Sequence, residues 1–493
     1  MKNYIKQVVF LIIILLQLNL SAKVLHVGAD REYSSLTQAV SAILPGDTVI
    51  VYEGIYPGGF FAENLKGTES APISVFASGE VIFQGGSTAW QLSDAAFVHI
   101  RGFIFQKQSG NGVNFDDGGS YQSPSHHIIV EDCTFRDMQA TGNNDLLKMS
   151  GVDDFEIRNC RFLNGSPSGS GIDMVGCHNG IISNCHFENQ GSNSIQAKGG
   201  TSDIRIDANL FNNGGQRTLN LGGSTGLSYF RPVDARFEAA RLKVYSNVII
   251  GSQAAVAFVG CIDCEVVNNT IYLPDKWVLR ILQETVDITR FAPCGQNSFR
   301  NNIVVRDNRV STDCNIGGNT DPQSFIFSNN LWYNPQNNNW SGPSLPVKEE
   351  NISVGKNPLF VDENAGDFSL QNGSPAIANG YNSEQPVFDF NGTPFDTPRS
   401  TGAFEKTKFT GFQDWNQKIP DEMKIFPNPG KGDYTLPGVN YPVNIEVFNL
   451  NGNFIYFETL SSNVLHLKLP AGIYFLKVNR NRLSSKTVKI VQL

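Results

Sequence analysis

The chain has 493 residues and carries 38 Lys and Arg against 46 Asp and Glu, a net charge of −8. Hydrophobic residues make up 40% of the sequence, enough to bury a sizeable core, which excludes a largely disordered protein. The acidic balance argues against a nucleic-acid-binding protein, which normally presents a basic face. The 47 glycines and 34 phenylalanines favour a turn-rich, all-β protein.

The N-terminus has the pattern of a secretory signal peptide. Lys2 and Lys6 precede an apolar run from Val8 to Leu16, and the small residues Ser21 and Ala22 follow. This run is shorter than the roughly 20 apolar residues needed to span a bilayer, so a membrane anchor is the weaker interpretation. We expect a signal peptide over residues 1–22, export of the protein, and no membrane span in the mature chain.

A short helix should follow at the start of the mature chain. Residues 35–43 have the apolar spacing of an amphipathic helix, and Pro45-Gly46-Asp47 and a strand come next. This opening resembles that of secreted, pectate-lyase-like β-helix proteins. The resemblance implies that the helix caps the open end of a solenoid.

Short strings of one pattern recur through the middle of the chain, as in IIVEDCTF, FEIRNCRF and CEVVNNTI. Each has Cys or Asn at one position and an apolar residue two positions later. Five of the seven gaps between these anchors are 22 to 28 residues long, and the other two are 38 and 33. The anchors are Cys133, Cys160, Cys185, Asn209, Asn247, Asn269, Asn302 and Asn330.

A repeat of this length, built of short alternating strands, predicts a right-handed parallel β-helix. Stacked coils place equivalent residues about 4.8 Å apart, so the Asn side chains should form hydrogen-bonded ladders while the Phe and Cys side chains stack inside. A leucine-rich repeat lacks support because its Leu pattern is absent. The predicted fold is all-β: a right-handed parallel β-helix with an N-terminal capping helix, plus a small C-terminal β-sandwich.

Four strings align into a column of outward-pointing side chains on this solenoid. LLKMSG, GIDMVG, SIQAKGG and TLNLGG superpose with their apolar residues pointing inward. The outward column then holds Lys148, Asp173, Gln196 and Asn220, with Asn114 one coil earlier. Nearby lie Asp116 and Asp145, Lys198 in the next outward column, and Arg217 at the start of its strand.

The two long gaps predict loops that frame this column. The first contains Gly222 to Arg241, and the second contains Pro274 to Gln296. Both carry aromatic residues beside Arg or Lys, as expected of a groove for an anionic sugar. The residues predicted to bind substrate are Asn114, Asp173, Gln196, Asn220, Tyr229, Arg231, Trp277 and Arg280.

These residue types suit β-elimination. Removal of the C5 proton of a uronate requires positive charge that neutralises the adjacent carboxylate. It also requires a base that has lost its own proton and can therefore accept the C5 proton. Lys198, Arg217 and Lys148 are the predicted catalytic residues, and Asp116 and Asp145 could hold a calcium ion. The general arrangement resembles that of pectate and alginate lyases, which implies a lyase acting on an anionic, uronate-containing polysaccharide.

Two alternatives remain open. Glycoside hydrolysis needs two carboxylates about 5 to 9.5 Å apart, which Asp145 could form with Asp173 or with Asp116. A non-catalytic surface protein that adheres to polysaccharide would also carry such a polar face. Between neighbouring coils, Lys148 and Asp173 could equally form a structural ion pair.

Cysteine spacing predicts one disulfide in an exported protein. Cys294 and Cys314 both lie in loop-like sequence and are the expected pair. Cys261 and Cys264 have the spacing of half a zinc site, but no second pair of ligands follows.

The C-terminal part divides into three segments. Residues 357–380 followed by TGAFE at 401–405 resemble the exit of bacterial β-helix enzymes, so the solenoid should span residues 23–405. Residues 406–422 are polar and non-periodic and predict a linker. Residues 423–493 alternate with period two and contain Asn-Gly and Ala-Gly turns, which predicts a small β-sandwich.

The motifs FPNP at 426–429, GIYFLKV at 472–478 and Lys489-Ile490-Val491 resemble the C-terminal sorting domain of type IX secretion. The resemblance implies a type IX secretion machinery as partner. It also implies transport across an outer membrane, with release or surface attachment of the protein. We expect the mature protein to be a monomer.

Overall fold

The structure is a computed structural model that describes residues 22–120, 122–406, 424–437, 443–449, 454–460, 463–481 and 484–493. The predicted signal peptide and the predicted linker lie outside these residues, apart from Ala22 and Lys406. From Val24 to Val354 the chain winds into a parallel β-helix in which all strand pairings are parallel. This all-β solenoid confirms the predicted fold class.

The solenoid has three stacks of strands. The first stack is a ten-stranded sheet: Phe60–Glu63, Trp90–Ser93, Val113–Asp116, Leu147–Ser150, Ser170–Val175, Asn193–Lys198, Arg217–Gly222, Ala254–Val259, Trp277–Leu282 and Cys314–Ile316. The second stack comprises Ser125–Glu131, Val152–Asp153, Glu156–Arg158, Ile181–Ser183, Arg205–Asp207, Lys243–Tyr245, Glu265–Val267, Ser298–Arg300 and Ile326–Ser328. The third stack comprises Thr134–Arg136, Arg161–Leu163, His186–Glu188, Leu210–Asn212, Val248–Ile250, Thr270–Tyr272, Ile303–Val305, Leu331–Tyr333 and Ser353–Val354.

The solenoid begins with the short strand Val24–Val27, which pairs with Thr48–Val51. Three longer strands follow and cover both the second and third stacks: Thr48–Pro57, Ile73–Gln84 and Ala96–Gln106. A small three-stranded sheet links the first stack to the second: Thr201–Ser202, Ala239–Ala240 and Cys261–Ile262.

A single left-handed residue makes the turn between the second and third stacks. Asn268 has a φ of 56°, and the next residue, Asn269, then points into the solenoid. Asp and Asn tolerate this conformation better than most residues, which explains the repeated Asn-Cys and Asn-Asn pairs in the sequence. The turn is therefore encoded locally in each coil.

The inward anchors form the predicted ladder. Asn209, Asn247, Asn269, Asn302 and Asn330 are fully buried, and each donates an Nδ2 hydrogen bond to the next side chain at 2.8–3.0 Å. The last acceptor is Glu349, which also accepts a hydrogen bond from Trp332 Nε1. Beside the ladder, Phe135, Phe162, Phe187 and Phe211 stack with ring centroids 4.7–4.9 Å apart.

All eight cysteines are buried free thiols. Cys133, Cys160 and Cys185 pack inside at the anchor position, as predicted. The predicted Cys294–Cys314 disulfide is not formed, since Cys314 lies beside Leu279 in the ten-stranded sheet. Cys294 instead lies at a turn of the neighbouring coil, where its backbone forms a β-bridge with Thr320.

The N-terminal end of the solenoid is capped by a helix, as predicted. The α-helix Leu36–Ala39 starts at the N-cap Ser35 and continues as the 3-10 helix Val40–Ala42. Leu36 and Ala39 are buried against the first coils. After the last coil, a short antiparallel hairpin forms from Phe360–Asp362 and Asp367–Leu370. The remaining 3-10 helices are Leu227–Tyr229, Pro322–Ser324 and Glu363–Ala365.

The longer of the two sequence gaps is mostly loop, but the other is not. Residues 223–238, here called loop A, lead away from the ten-stranded sheet. Within the other gap, Trp277–Leu282 is a regular strand of that sheet, with Val278, Leu279 and Ile281 buried. The prediction of one long loop was therefore wrong there, and only residues 283–293, here called loop B, extend from the coil.

The described residues from 424 to 493 form antiparallel sheets with a core of their own. Asp433–Thr435 pairs with Val464–His466, and a four-stranded sheet comprises Phe454–Leu460, Val443–Asn449, Gly472–Asn481 and Ser484–Gln492. Their buried residues, including Tyr434 and Leu476, form a cluster separate from that of the solenoid. Among the described residues, no helix is long and apolar enough to cross a membrane.

Candidate functional site

A row of polar side chains runs across the ten-stranded sheet. Strand register places six of them in one outward column, here called the polar column: Gln91, Asn114, Lys148, Asp173, Gln196 and Asn220. The predicted alignment of Asn114, Lys148, Asp173, Gln196 and Asn220 is thus the observed register. The column continues through Ala257 to Arg280 and Asn315.

Lys148 is held between two buried carboxylates. Its Nζ donates to Asp173 Oδ2 and lies 3.7 Å from Asp145 Oδ2. The carboxylate side chains are only 3% and 4% exposed, whereas that of Lys148 is 26% exposed. Although burial by itself opposes the charged form, the two carboxylates raise the pKa of Lys148 above its ordinary value. The two carboxylates thus favour the charged form of Lys148, which contacts both of them.

Asp145 is an acid whose charged form is disfavoured. Burial, followed by the negative charge of Asp173, raises its pKa to about 6. Lys148 and the hydrogen bond that Oδ1 accepts from Ser170 N, at 2.8 Å, limit the rise. The group of Asp145, Lys148 and Asp173 consequently changes charge in a mildly acidic range.

Lys198 lies one column beyond, on the strand after Asp173. Its Nζ donates to Gln196 Oε1 at 3.4 Å and lies 3.6 Å from Asp173 Oδ1. This Oδ1 is buried and accepts no hydrogen bond from the described residues. Gly223, the first residue of loop A, packs directly on the Lys198 stem: a Cβ there would lie 3.2 Å from Lys198 Cδ and 2.7 Å from Gln196 Nε2.

Arg217 faces the same groove from the next strand. Its Nη1 donates to Asn220 Oδ1 at 3.3 Å, and its Nη2 lies 2.6 Å from Oε1 of Glu284 in loop B. The Arg217 side chain is 18% exposed and that of Glu284 is 33% exposed. Glu284 was not predicted from the sequence, because it lies 67 residues from Arg217 along the chain.

A second cationic group lies two strands farther along the sheet. Trp277 aligns with Arg217 through Ala254, and Arg280 aligns with Asn220 through Ala257. Lys276 Nζ and Arg280 Cζ lie 4.2 and 4.4 Å from the centroid of the Trp277 ring. Burial, followed by the charge of Arg217, lowers the pKa of Arg280. The two guanidinium groups are thus close enough to repel each other.

Glu238 joins both loops to the site and was also missed. It is fully buried, and its carboxylate accepts hydrogen bonds from Gly199 N and Thr225 N, both at 2.9 Å. It accepts further bonds from the hydroxyls of Thr225 and Thr285. Gly199 follows Lys198, and Thr285 follows Glu284. Glu238 therefore fixes the backbone on both sides of the groove.

Arg231 does not line the groove, contrary to the prediction. It is 9% exposed and forms a paired contact with Asp153, in which both N···O distances are 2.7 Å. It also donates to Gly176 O at 2.9 Å. Despite burial, the hydrogen bonds from Arg231 and His178 lower the pKa of Asp153 to about 2. Arg231 thus anchors loop A against an earlier coil.

The tips of the two loops are apolar and exposed. Tyr229 is 69% exposed, and Leu227, Val286 and Ile288 are exposed beside it. Ser224–Leu227 and Glu284–Ile288 line a cleft that opens next to Arg217. Tyr229 therefore lies at the rim of the groove rather than on the polar column.

Asp116 and Asp145, the predicted calcium ligands, have separate contacts. Asp116 accepts a hydrogen bond from Gln91 Nε2 and one from Gly118 N at 2.9 Å, whereas Asp145 is directed at Lys148. No group of three or more His, Cys, Asp or Glu side chains suited to a metal occurs among the described residues.

Comparisons with known proteins agree with this architecture. Residues 89–271 match the family model described as "Right handed beta helix region", and residues 424–492 match that of the "Secretion system C-terminal sorting domain". No curated protein sequence matches the chain. The sorting domain directs the protein through type IX secretion to the extracellular space or the cell surface.

Solved structures share the solenoid at low sequence identity. The pectate lyase Pel9A is 16% identical, covers 78% of this chain and 96% of its own, and has a TM-score of 0.50. An alginate lyase from Paenibacillus sp. str. FPU-7 is 16% identical over 67% of this chain and 99% of its own, with a TM-score of 0.40. The lacto-N-biosidase of Eubacterium ramulus is 13% identical over 67% of this chain and 68% of its own, with a TM-score of 0.46.

At 16% identity, the likeness to the pectate lyase Pel9A shows a shared fold. The chain is a right-handed parallel β-helix protein that carries a C-terminal secretion sorting domain.

Proposed function

We propose that this protein is a secreted lyase that cleaves a uronate-containing polysaccharide by β-elimination. The observation that carries the proposal is the set of Lys198, Arg217 and Arg280 on one outward face, in a protein whose net charge is −8. A local cationic groove on an acidic protein selects an anionic ligand. The pectate and alginate lyases with the same general solenoid make a polysaccharide the natural ligand of such a groove.

Lys198 is the proposed base. It projects from the sheet beside Gln196 and Asp173, and its side chain is 16% exposed to the groove. Lys148 lies between two carboxylates, whereas Lys198 contacts that of Asp173. Lys198 would accept the C5 proton, after which the electrons of the C5–H bond form a C4–C5 double bond. The bond from C4 to the linking oxygen breaks, and that oxygen keeps the electron pair and takes a proton from water to become the hydroxyl of the released sugar.

Arg217 and Arg280 would stabilise the negative charge that builds on the uronate carboxylate as the proton leaves. Fixed guanidinium groups in a partly buried site do this without reorganising at the moment of reaction. Asn114 and Gln196 on the polar column would hydrogen-bond sugar hydroxyls, and Trp277 would contact a ring face. Calcium has no role in this proposal.

The test is the ultraviolet absorbance of the unsaturated product on polygalacturonate, alginate and glycosaminoglycans. We expect activity on one of these, with Lys198→Ala lowering kcat by about 10²-fold or more. Lys243→Ala is the matched control, since Lys243 is an exposed lysine on the second stack. It should retain wild-type activity.

Other outcomes reassign the site. New reducing ends without the unsaturated product would indicate hydrolysis, for which Asp145 and Asp173 are the available carboxylates. The raised pKa of Asp145 suits a general acid, but its side chain is only 4% exposed. Binding without any cleavage would leave a polysaccharide-adhesion protein.

A further inference from the structure

The pair formed by Arg217 and Glu284 bears on how the groove recognises its ligand. In the proposed function Arg217 meets a substrate carboxylate, yet here its guanidinium already meets one, 2.6 Å away. Asn220 Oδ1 holds the other terminal nitrogen at 3.3 Å. The position that a uronate carboxylate would take is thus filled by a side chain of the protein.

The backbone on either side of Glu284 is held in place. Thr285 donates its hydroxyl to the fully buried Glu238. Gln283 accepts a hydrogen bond from Cys294 N at 2.8 Å and donates to Thr285 O at 2.9 Å. Movement of Glu284 away from Arg217 therefore requires only side-chain rotation.

Glu284 is also the most readily displaced member of the group. Its side chain is 33% exposed, and its contact with Arg217 is its one hydrogen bond among the described residues. Partly exposed ion pairs contribute little to stability, so the carboxylate of an anionic ligand can replace that of Glu284. When Glu284 leaves, the repulsion between Arg217 and Arg280 adds to the attraction for an incoming carboxylate.

We propose that Arg217, with Asn220 and Arg280, forms a carboxylate-binding site that Glu284 occupies in the free protein and that a uronate of the substrate takes over. Glu284 is then a specificity-determining residue, because only a ligand that brings its own carboxylate can replace it, whereas a neutral sugar cannot. This inference rests on the proposed function in its choice of ligand but not in the chemical step.

The experiment measures binding by isothermal titration calorimetry on the full mature chain. The probes are polygalacturonate and alginate, with dextran as the uncharged polymer. We expect Glu284→Gln to bind the preferred anionic polymer about 3- to 10-fold more tightly than wild type, since the competing carboxylate is gone. Dextran affinity should not change.

A matched control and a double variant make the sign decisive. Glu156→Gln removes a pair of equal length, 2.6 Å to Arg158, on the second stack, and should leave binding unchanged. In an Arg217→Gln background the Glu284→Gln effect should vanish. Weaker binding by Glu284→Gln would overturn the proposal and make Glu284 a residue that orients Arg217. Failure of Glu284→Gln to bind either anionic polymer would overturn it as well.

These results are separable from the proposed function. Tighter binding by Glu284→Gln without any unsaturated product would support the carboxylate site while rejecting β-elimination. Product formation with an unchanged or weakened affinity would do the reverse.

Discussion

At the scale of single residues, two carboxylates and one ammonium group share a small, nearly buried space. They belong to Asp145, Asp173 and Lys148. Lys148 cannot satisfy both carboxylates equally, since it lies in hydrogen-bond contact with Asp173 and 3.7 Å from Asp145. The charged form of Asp145 is therefore disfavoured, and burial together with the charge of Asp173 raises its pKa to about 6. Lys198, the proposed base, lies beside this group, with its Nζ 3.6 Å from Asp173 Oδ1.

The raised pKa of Asp145 predicts a pH-dependent stability. Because the folded state binds this proton more tightly than the unfolded state, the stabilisation is complete below pH ~4 and is lost as pH rises to about 6. Asp145→Asn should abolish this trend, so the wild type should lose on the order of 2 kcal/mol relative to the variant over that range. Denaturant unfolding of both proteins between pH 4 and 7 measures it. A difference that does not vary with pH would contradict the assignment.

The close packing of Gly223 on Lys198 predicts that activity depends on the exact position of the Lys198 side chain. Its φ is +155°, and an added Cβ would push into Gln196 and Lys198. Gly223→Ala should reduce kcat/KM about 10-fold or more on the polymer that yields the unsaturated product, since small displacements of the proposed base are costly. Gly59→Ala is the control: its φ is +98°, but a Cβ there meets nothing within 4 Å. Equal loss of activity in both variants would mean that backbone strain, and not Lys198, is responsible.

At the scale of structural elements, the asparagine ladder stabilises the stack of coils, and the two loops form the walls of the proposed groove. The ladder joins successive coils through fully buried amides and ends at Glu349. The loops depart from the same coils but are held by side chains, namely Arg231 on Asp153 and Glu238 on both loops. A rigid stack thereby carries a groove whose walls come from outside the repeat.

The ladder predicts a large effect for a single amide. Asn269 donates to Asn302 Oδ1 and Val244 O, both at 3.0 Å, and accepts from Asn247, so its loss leaves several buried partners unpaired. Asn269→Ala should lower the free energy of unfolding by about 3 kcal/mol. Asn212→Ala, on an exposed strand position, should change it by less than about 0.5 kcal/mol. Equilibrium denaturation decides between them, and similar small losses in both variants would show that the ladder contributes little.

At the scale of the whole molecule, the solenoid and the sorting domain are built as separate cores. The solenoid buries a continuous cluster from Leu25 to Trp332, and the C-terminal sheets bury their own from Ile425 to Ile490. The charge is also uneven, since an acidic chain concentrates Lys198, Arg217 and Arg280 on one face of one sheet. Export therefore depends on the C-terminal domain, whereas the proposed ligand binding lies on the solenoid.

The separate cores predict that the solenoid is independent of the sorting domain. A chain of residues 22–406 should keep the unfolding midpoint of the solenoid to within about 2 °C and keep its activity, because no solenoid core contact is removed. In cells, a chain of residues 1–406, which keeps the predicted signal peptide and lacks only the sorting domain and the linker, should fail to appear outside the cell. Calorimetry and fractionation test the two halves. A truncated solenoid that aggregates or melts much earlier would contradict the prediction.

The sequence alone determined the coil repeat, the buried ladder, and the order of Asn114, Lys148, Asp173, Gln196 and Asn220 on one face. These features follow from period-two alternation and from turn residues repeated in each coil, which are local signals. The register of parallel coils then converts equal positions in the repeat into neighbours in space.

Only the tertiary structure decided where residues outside the repeat would go. Arg231 reaches Asp153 across 78 residues, Glu284 reaches Arg217 across 67, and Glu238 reaches Gly199 across 39. The strand Trp277–Leu282 and the absent Cys294–Cys314 disulfide likewise depended on how one irregular coil packs on the next. Such contacts have no period, and their energies come from burial and charge pairing between distant segments, which a pattern along the chain does not encode.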